Sequence, residues 1–183
     1  LQKSLFCRAP ERTRQLHGEV IAWAISNSSK LSLFEQGVPL EFKVCDHTIE
    51  FSERIDAAKE IIANIGSEVP PEQLIAHMVS VRSVEEWLSK ARDLDSTVGF
   101  RFHGNMVALL QGKPCYYFVY DSRLEEFCEL YDLPYQLVED GFDGEKMISQ
   151  MVEHDWDRVN AGFTRLRAEL ADFYSRNGIS SVI

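Results

Sequence analysis

The run Val98-Gly99-Phe100-Arg101-Phe102-His103-Gly104-Asn105 sets a guanidinium and an imidazole two residues apart, directly ahead of a glycine. Arginine offers a planar fork of donors that matches phosphate or carboxylate. Histidine is the side chain that takes or gives a proton near neutral pH. Residues 94–100 read as a short strand and residues 104–111 as a buried helix broken by Gly112 and Pro114, so the pair falls between a strand end and a helix start. A helix start presents unpaired N–H groups and a partial positive charge, which favour an anion. The spacing therefore describes a place to hold a phosphate or carboxylate beside a proton donor or acceptor.

A second group follows at Tyr120-Asp121-Ser122-Arg123. Asp121 and Ser122 are residue types that cap helices. Arg123 in a first helical turn opposes the helix dipole, so it is either a solvated surface residue or aimed at an anion. His17-Gly18 repeats part of the first motif, but without a strand leading into it and without an arginine two residues earlier, and it reads as structural. His47, His77 and His154 carry no pattern that favours chemistry, and the five histidines never fall into H-x-x-x-H or H-E-x-x-H spacing, so no metal site is expected.

The elements that must position these residues alternate along the chain. Strands are expected at Ser4–Arg8, Leu40–Asp46, Ile75–Val81, Thr97–Phe100, Cys115–Tyr120 and Gln136–Val138, and helices near 17–26, 52–65, 84–92, 104–111, 122–131 and 144–153. Such alternation predicts an α/β domain around a mainly parallel sheet. Ser83-Val84-Glu85-Glu86 and Ser122-Arg123-Leu124-Glu125 both fit the S-x-x-E capping box. In a parallel sheet, ligands bind outside the carboxyl ends of the strands. If the fourth and fifth strands are neighbours, Arg101, His103, Asn105 and Arg123 line one crevice, with the helix at Gly104 pointing its start into it. The final segment differs: Trp156, Val159, Phe163, Leu166, Leu170 and Phe173 form one apolar stripe at helical spacing. That stripe must bury itself on this domain, on a neighbouring one or in a dimer seam. Residues 1–153 are therefore read as the α/β domain and 154–183 as an amphipathic helix and tail.

With 183 residues and 45% hydrophobic content, the chain can bury one substantial core without metals or disulfides. A net charge of −10 argues against nucleic acid as a partner, because phosphate contacts need a basic face. No apolar run approaches the roughly 20 residues of a membrane span, and the expected protein is soluble. Cys7, Cys45, Cys115 and Cys128 lack a C-x-x-C pair, and all but Cys128 fall in expected strands. They read as reduced, mostly buried thiols of a cytoplasmic protein. The chain begins at Leu1 rather than Met, which is read as truncation, processing or a chosen boundary.

The ordered set Asp95-Ser96-Thr97-Val98-Gly99-Phe100-Arg101-Phe102-His103-Gly104-Asn105-Met106, Ala108-Leu109, Gly112-Lys113-Pro114 and Tyr120-Asp121-Ser122-Arg123 through Leu133-Pro134 resembles the carboxyl-terminal half of polysaccharide pyruvyl transferases. Ser83-Val84-Glu85-Glu86-Trp87-Leu88 is similar to the segment that precedes the motif in that family, and the likeness covers roughly residues 78–138. The resemblance implies a Rossmann-like domain with helices on both faces of a mainly parallel sheet, one of the two that face across a cleft in glycosyltransferases of the B type. It implies transfer of pyruvate from phosphoenolpyruvate to a saccharide or lipid-linked oligosaccharide as a ketal, with phosphate released and no further cofactor. Arg101 and His103 match the positions that contact the donor and carry the catalysis, with Gly104, Asn105, Ser122 and Arg123 completing the donor-binding set. The same resemblance makes this chain one half of such an enzyme, its amino-terminal partner domain missing and its own activity in doubt. Exopolysaccharide or cell-surface glycan synthesis would then place it in the cytoplasm, peripheral to the inner membrane where the acceptor is lipid-linked.

Two other classes fit the same elements. A nucleotide-sugar glycosyltransferase or epimerase shares the architecture, since fold does not fix function; a nucleotide diphosphate sugar rather than phosphoenolpyruvate would then raise its melting temperature. A non-catalytic interaction domain would use the striped terminal helix, and alanine at Arg101 and His103 would leave its biology intact.

Overall fold

The computed structural model describes residues 9–28, 30–35 and 37–179, and the expected strand at Ser4–Arg8 lies outside them. The elements run α1 Pro10–Asn27, β1 Leu33–Phe34, α2 Pro39–Cys45, α3 Phe51–Ile65, α4 Pro71–His77, β2 Met78–Val79, α5 Val84–Arg92 and β3 Thr97–Gly99. They continue with α6 Phe102–Leu109, β4 Cys115–Val119, α7 Ser122–Tyr131, β5 Tyr135–Leu137, α8 Gly144–Val152 and α9 Trp156–Arg176. The strands form two small parallel sheets, β1-β2 and β3-β4-β5, as an α/β arrangement requires. No helix among the described residues is long and apolar enough to cross a membrane.

The larger sheet is organised by β4, whose five residues are all buried. Successive side chains of a strand point to opposite faces. Tyr116 and Phe118 enter a core with Leu16 and Val20 of α1, Met147 and Met151 of α8, and Phe100 and Val138. Cys115, Tyr117 and Val119 enter a second core with Leu124 and Cys128 of α7, Leu133, and Val159 of α9. Helices thus cover both faces of this sheet. A third cluster, Val44, Ala57, Ala58, Leu74 and Ile75, holds α2, α3 and α4 beside β1 and β2. Helix α1 joins the two regions. Ile21 packs on the third cluster, and a Cβ at Gly18 would come 2.6 Å from the carbonyl oxygen of Ile65. At Gly144, the first residue of α8, a Cβ would run into the indole of Trp23, so only glycine lets α1 and α8 lie this close.

Two expected strands are corrected. In the expected strand Leu40–Asp46, residues 40–45 instead form most of α2, because Pro39 supplies a helical φ at the first turn. The apolar alternation of Leu40, Phe42 and Val44 is an i, i+4 pair in disguise: Leu40 and Val44 join the core while Phe42 is exposed. In the expected strand Ile75–Val81, residues 75–77 instead finish α4, begun by Pro71, and only Met78–Val79 pairs with β1. Helix α1 also starts seven residues earlier than its apolar periodicity, at Pro10. Cys45 accordingly ends a helix; Cys45, Cys115 and Cys128 are free thiols, the latter two buried.

The capping signals divide. Ser83 Oγ accepts from the Glu86 backbone N–H at 3.1 Å, while the Glu86 carboxylate reaches back one residue further than a capping box, to the N–H of Arg82 at 2.9 Å. Ser83→Ala is expected to destabilise the fold by about 1 kcal/mol in urea unfolding. At α7 the cap is Asp121, not Ser122: its Oδ1 accepts from Leu124 N–H at 2.9 Å, and Ser122 is the first helical residue.

Helix α9 explains the terminal stripe in two halves. Val159 is buried, and Trp156 and Phe163 pack on the second core, where Phe163 stacks on Tyr131 at 4.3 Å between ring centroids. Further along, Leu170 and Phe173 are exposed.

Candidate functional site

Strands β3 and β4 are hydrogen-bonded neighbours in parallel register, with Gly99 opposite Tyr117. Both chains therefore leave the sheet at the same edge, the first into Arg101 and His103, the second into Asp121, Ser122 and Arg123. Neighbouring strands lie about 4.8 Å apart, so the two loops are adjacent. Arg101, His103, Ser122 and Arg123 are exposed there and Gly104 is half-buried. The sequence motif is thus assembled at the carboxyl edge. The depression of about 390 Å³ lined by Leu133, Pro134, Tyr135, Gln150, Glu153 and His154 lies elsewhere, at the amino end of β5.

Helix α6 begins at Phe102, two residues before the expected start. Arg101 is its N-cap residue in extended conformation, with no side-chain cap, and the first turn holds no acidic residue. The first four N–H groups of a helix, here those of Arg101 to Gly104, lack intrahelical partners. The turn that carries His103 therefore presents the partial positive charge itself. Phe102 anchors that turn: its ring packs edge-on against Phe127 of α7 at 4.5 Å and against the His103 ring at 5.2 Å, and its carbonyl accepts from Tyr117 Oη at 3.5 Å.

Asn105 does not face the edge. It is 2% exposed, and its Nδ2 donates to the carbonyl of Tyr116 at 2.7 Å. Its contribution is to tie α6 to β4 near the start of that strand. Arg123 is explained by the buried Asp121, whose Oδ2 accepts from Nη2 at 3.0 Å while Oδ1 caps α7. The carboxylate raises the guanidinium's pKa through that hydrogen bond and its charge. A cation in the first turn of α7 is thereby tolerated, and it stands at the same edge as Arg101.

The sequence reading assigned His17 no more than a structural place. The ring stacks on Phe100, the residue before Arg101, at 3.5 Å and 24°. Its Nδ1 donates to the carbonyl of Thr13 at 3.1 Å. Burial lowers its pKa to about 4, the positive charge of Arg101 adds to the lowering, and the bond to Thr13 works against both. The signal in the sequence is the His17-Gly18 pair, which repeats part of the Arg101 motif; no spacing joins His17 to Phe100.

A pH prediction follows with a definite sign. A ring that resists protonation when folded but accepts a proton near pH 6.5 when unfolded makes the unfolded chain bind more protons between those values. Stability therefore falls as pH drops through that window, by about 2 kcal/mol from about pH 7 to about pH 4.5. Urea midpoints across that range should show the slope, and His17→Phe should remove this share of it.

Comparison with known proteins bears on the same edge. The family model for polysaccharide pyruvyl transferase matches residues 26–122, more than half of the chain, from the end of α1 through β4 to the first residue of α7. Arg101, His103, Gly104, Asn105 and Ser122 fall inside the match; His17 and Arg123 fall outside it. No curated protein and no solved structure matches the chain. With its strand, Arg-x-His-Gly and helix sequence inside the matched region and laid along one edge of a parallel sheet, the chain belongs to the polysaccharide pyruvyl transferase family.

Proposed function

We propose that this chain binds phosphoenolpyruvate at the carboxyl edge of the β3-β4-β5 sheet and serves as the donor half of a transferase that forms a pyruvate ketal on a saccharide. The observation that carries this reading is the meeting of Arg101 and His103 with the uncapped first turn of α6, within a chain of this family. A phosphoenolpyruvate molecule carries a phosphate and a carboxylate. Arg101 and the N–H groups of the α6 start hold one of them, and Arg123 stands at the neighbouring loop for the other.

The chemistry asks for little else. The methylene carbon of the donor gains a proton, C2 acquires oxocarbenium character, and a saccharide hydroxyl adds there. The C2–O bond to phosphate breaks, the second hydroxyl closes the ketal, and the two hydroxyl protons balance those taken up by carbon and by phosphate. Fixed positive charge favours the leaving phosphate. His103 moves one of these protons or bonds the phosphate. Gly104 admits the close backbone, and Ser122 offers a hydroxyl at the edge.

The reading carries with it the finer architecture: a Rossmann-like C-terminal domain of the B-type glycosyltransferase arrangement, with an amino-terminal domain across the cleft holding a saccharide or lipid-linked acceptor. Residues 1–153 then form the donor domain and 154–183 the helix beyond it. The reaction sits in the cytoplasm, in exopolysaccharide or cell-surface glycan synthesis, and requires no cofactor beyond the donor.

Thermal unfolding with ligands tests it. Phosphoenolpyruvate at about a hundred times its Kd should stabilise the protein by roughly 2.7 kcal/mol, a rise of roughly 5–10 °C. A nucleotide diphosphate sugar should give no such rise. The reverse pattern would assign the edge to a nucleotide-sugar enzyme, and no response to either would remove the donor site from this chain.

A further inference from the structure

We propose that His17 is a positioning residue for Arg101, acting through the ring of Phe100; its effect on donor binding rests on the function proposed above. Phe100 is 6% exposed and sits between two rings: His17 at 3.5 Å and 24° on one side, Phe118 at 4.8 Å and 27° on the other. The stack His17, Phe100, Phe118 runs from α1 to β4. It clamps the residue at which β3 leaves the sheet, and Arg101 is the next residue, in extended conformation at φ −107° and ψ 134°. The backbone position from which the Arg101 side chain leaves is thus tied to a flat ring on α1.

The outer ring of this stack is itself held. A carbonyl only accepts, so the bond from His17 to Thr13 O places the proton on Nδ1 and fixes the ring plane. Thr13 is 1% exposed, and its hydroxyl donates to the carbonyl of Ala9 at 2.8 Å, which ties down the first turns of α1. Gly18, next along the helix, presses α1 against Ile65 and Ser67, with no room for a side chain. Imidazole suits the place because it stacks like an aromatic ring yet anchors its own orientation by a hydrogen bond. The ring also stays uncharged beside a cation: burial and the charge of Arg101 both oppose its protonation.

Two variants separate the parts of this role. His17→Phe keeps the stacked face and loses the bond to Thr13; His17→Gln keeps a donor of similar reach and loses the face. The expected result is phosphoenolpyruvate affinity within about twofold of wild type for His17→Phe and about tenfold weaker for His17→Gln. In an Arg101→Ala background, His17→Gln should bring no further loss, because residues that act as a unit are not additive. The Arg101 Nε resonance, read by 15N NMR without ligand, should shift in His17→Gln and stay near its wild-type position in His17→Phe. An unmoved Arg101 resonance in His17→Gln, or equal affinity losses with and without Arg101, would overturn the proposal and leave His17 a folding residue only. If the wild-type protein binds no phosphoenolpyruvate, the donor reading fails instead, and the ligand-free resonance still decides the role of His17.

Discussion

The Arg101→Ala protein is expected to bind phosphoenolpyruvate more weakly by on the order of 2–5 kcal/mol, or roughly 30-fold to several thousandfold, if the contact is desolvated. Arg101→Lys should recover only part of the loss, because a point charge replaces a planar fork. His103 asks a separate question. Its ring stands in the first turn of α6, oriented by the edge contact with Phe102, whose ring is in turn packed on Phe127. His103→Gln retains a hydrogen-bonding group and removes the titratable proton. If His103 moves a proton in the reaction, turnover should fall by about 10²–10⁴-fold with donor affinity retained. If it binds phosphate, affinity falls as well. The assay is phosphate release from phosphoenolpyruvate with a saccharide acceptor, with donor affinity measured separately. Wild-type turnover in both Arg101→Ala and His103→Gln would reduce the motif to a structural element and end the donor assignment.

The larger sheet and its edge were legible because their signals are local. Val98 to Asn105 states a strand end, a cation, an imidazole and a helix start within eight residues, and the structure puts them on one edge. The run Cys115-Tyr116-Tyr117-Phe118-Val119 reads as a strand buried on both faces, and it is one. Other features depend on contacts that no periodicity records. Leu40, Phe42 and Val44 alternate as a strand would, and only the start supplied by Pro39 and the packing of Leu40 and Val44 on α3 and α4 decide for a helix. Strands β1 and β2 have two residues each, too few for any pattern.

The site residues divide along the same line. Arg101 and His103 announce themselves by type and spacing. Asn105 was read with them as a ligand-facing residue, but its amide is spent on the Tyr116 carbonyl, a partner eleven residues away that only the β3, α6, β4 turn brings near. Arg123 opposes the dipole of its first helical turn by sequence alone, and the buried Asp121 that pairs with it is what makes the place tolerable. His17 lies 83 residues before the ring it stacks on, so no local reading could have joined it to Arg101.

Phe118→Ala should be among the most costly single changes in the protein, at about 3–5 kcal/mol by urea unfolding. The side chain is fully buried on β4. Its ring touches three others: Phe100 at 4.8 Å, Tyr116 at 5.7 Å and Phe142 at 6.0 Å. Removing it leaves a cavity under the residue that precedes Arg101 and under the loop that leads from β5 into α8. Stability and site geometry should therefore fail together. Phe118→Leu keeps most of the volume without the flat face, so it should cost less stability than alanine while still loosening Phe100. Donor affinity for Phe118→Leu, measured well below its melting temperature, is expected to drop by more than its stability loss explains. Affinity equal to wild type in that variant would mean that the strand end holds Arg101 without the aromatic stack, and that the ordering of the edge comes from backbone pairing of β3 with β4 alone.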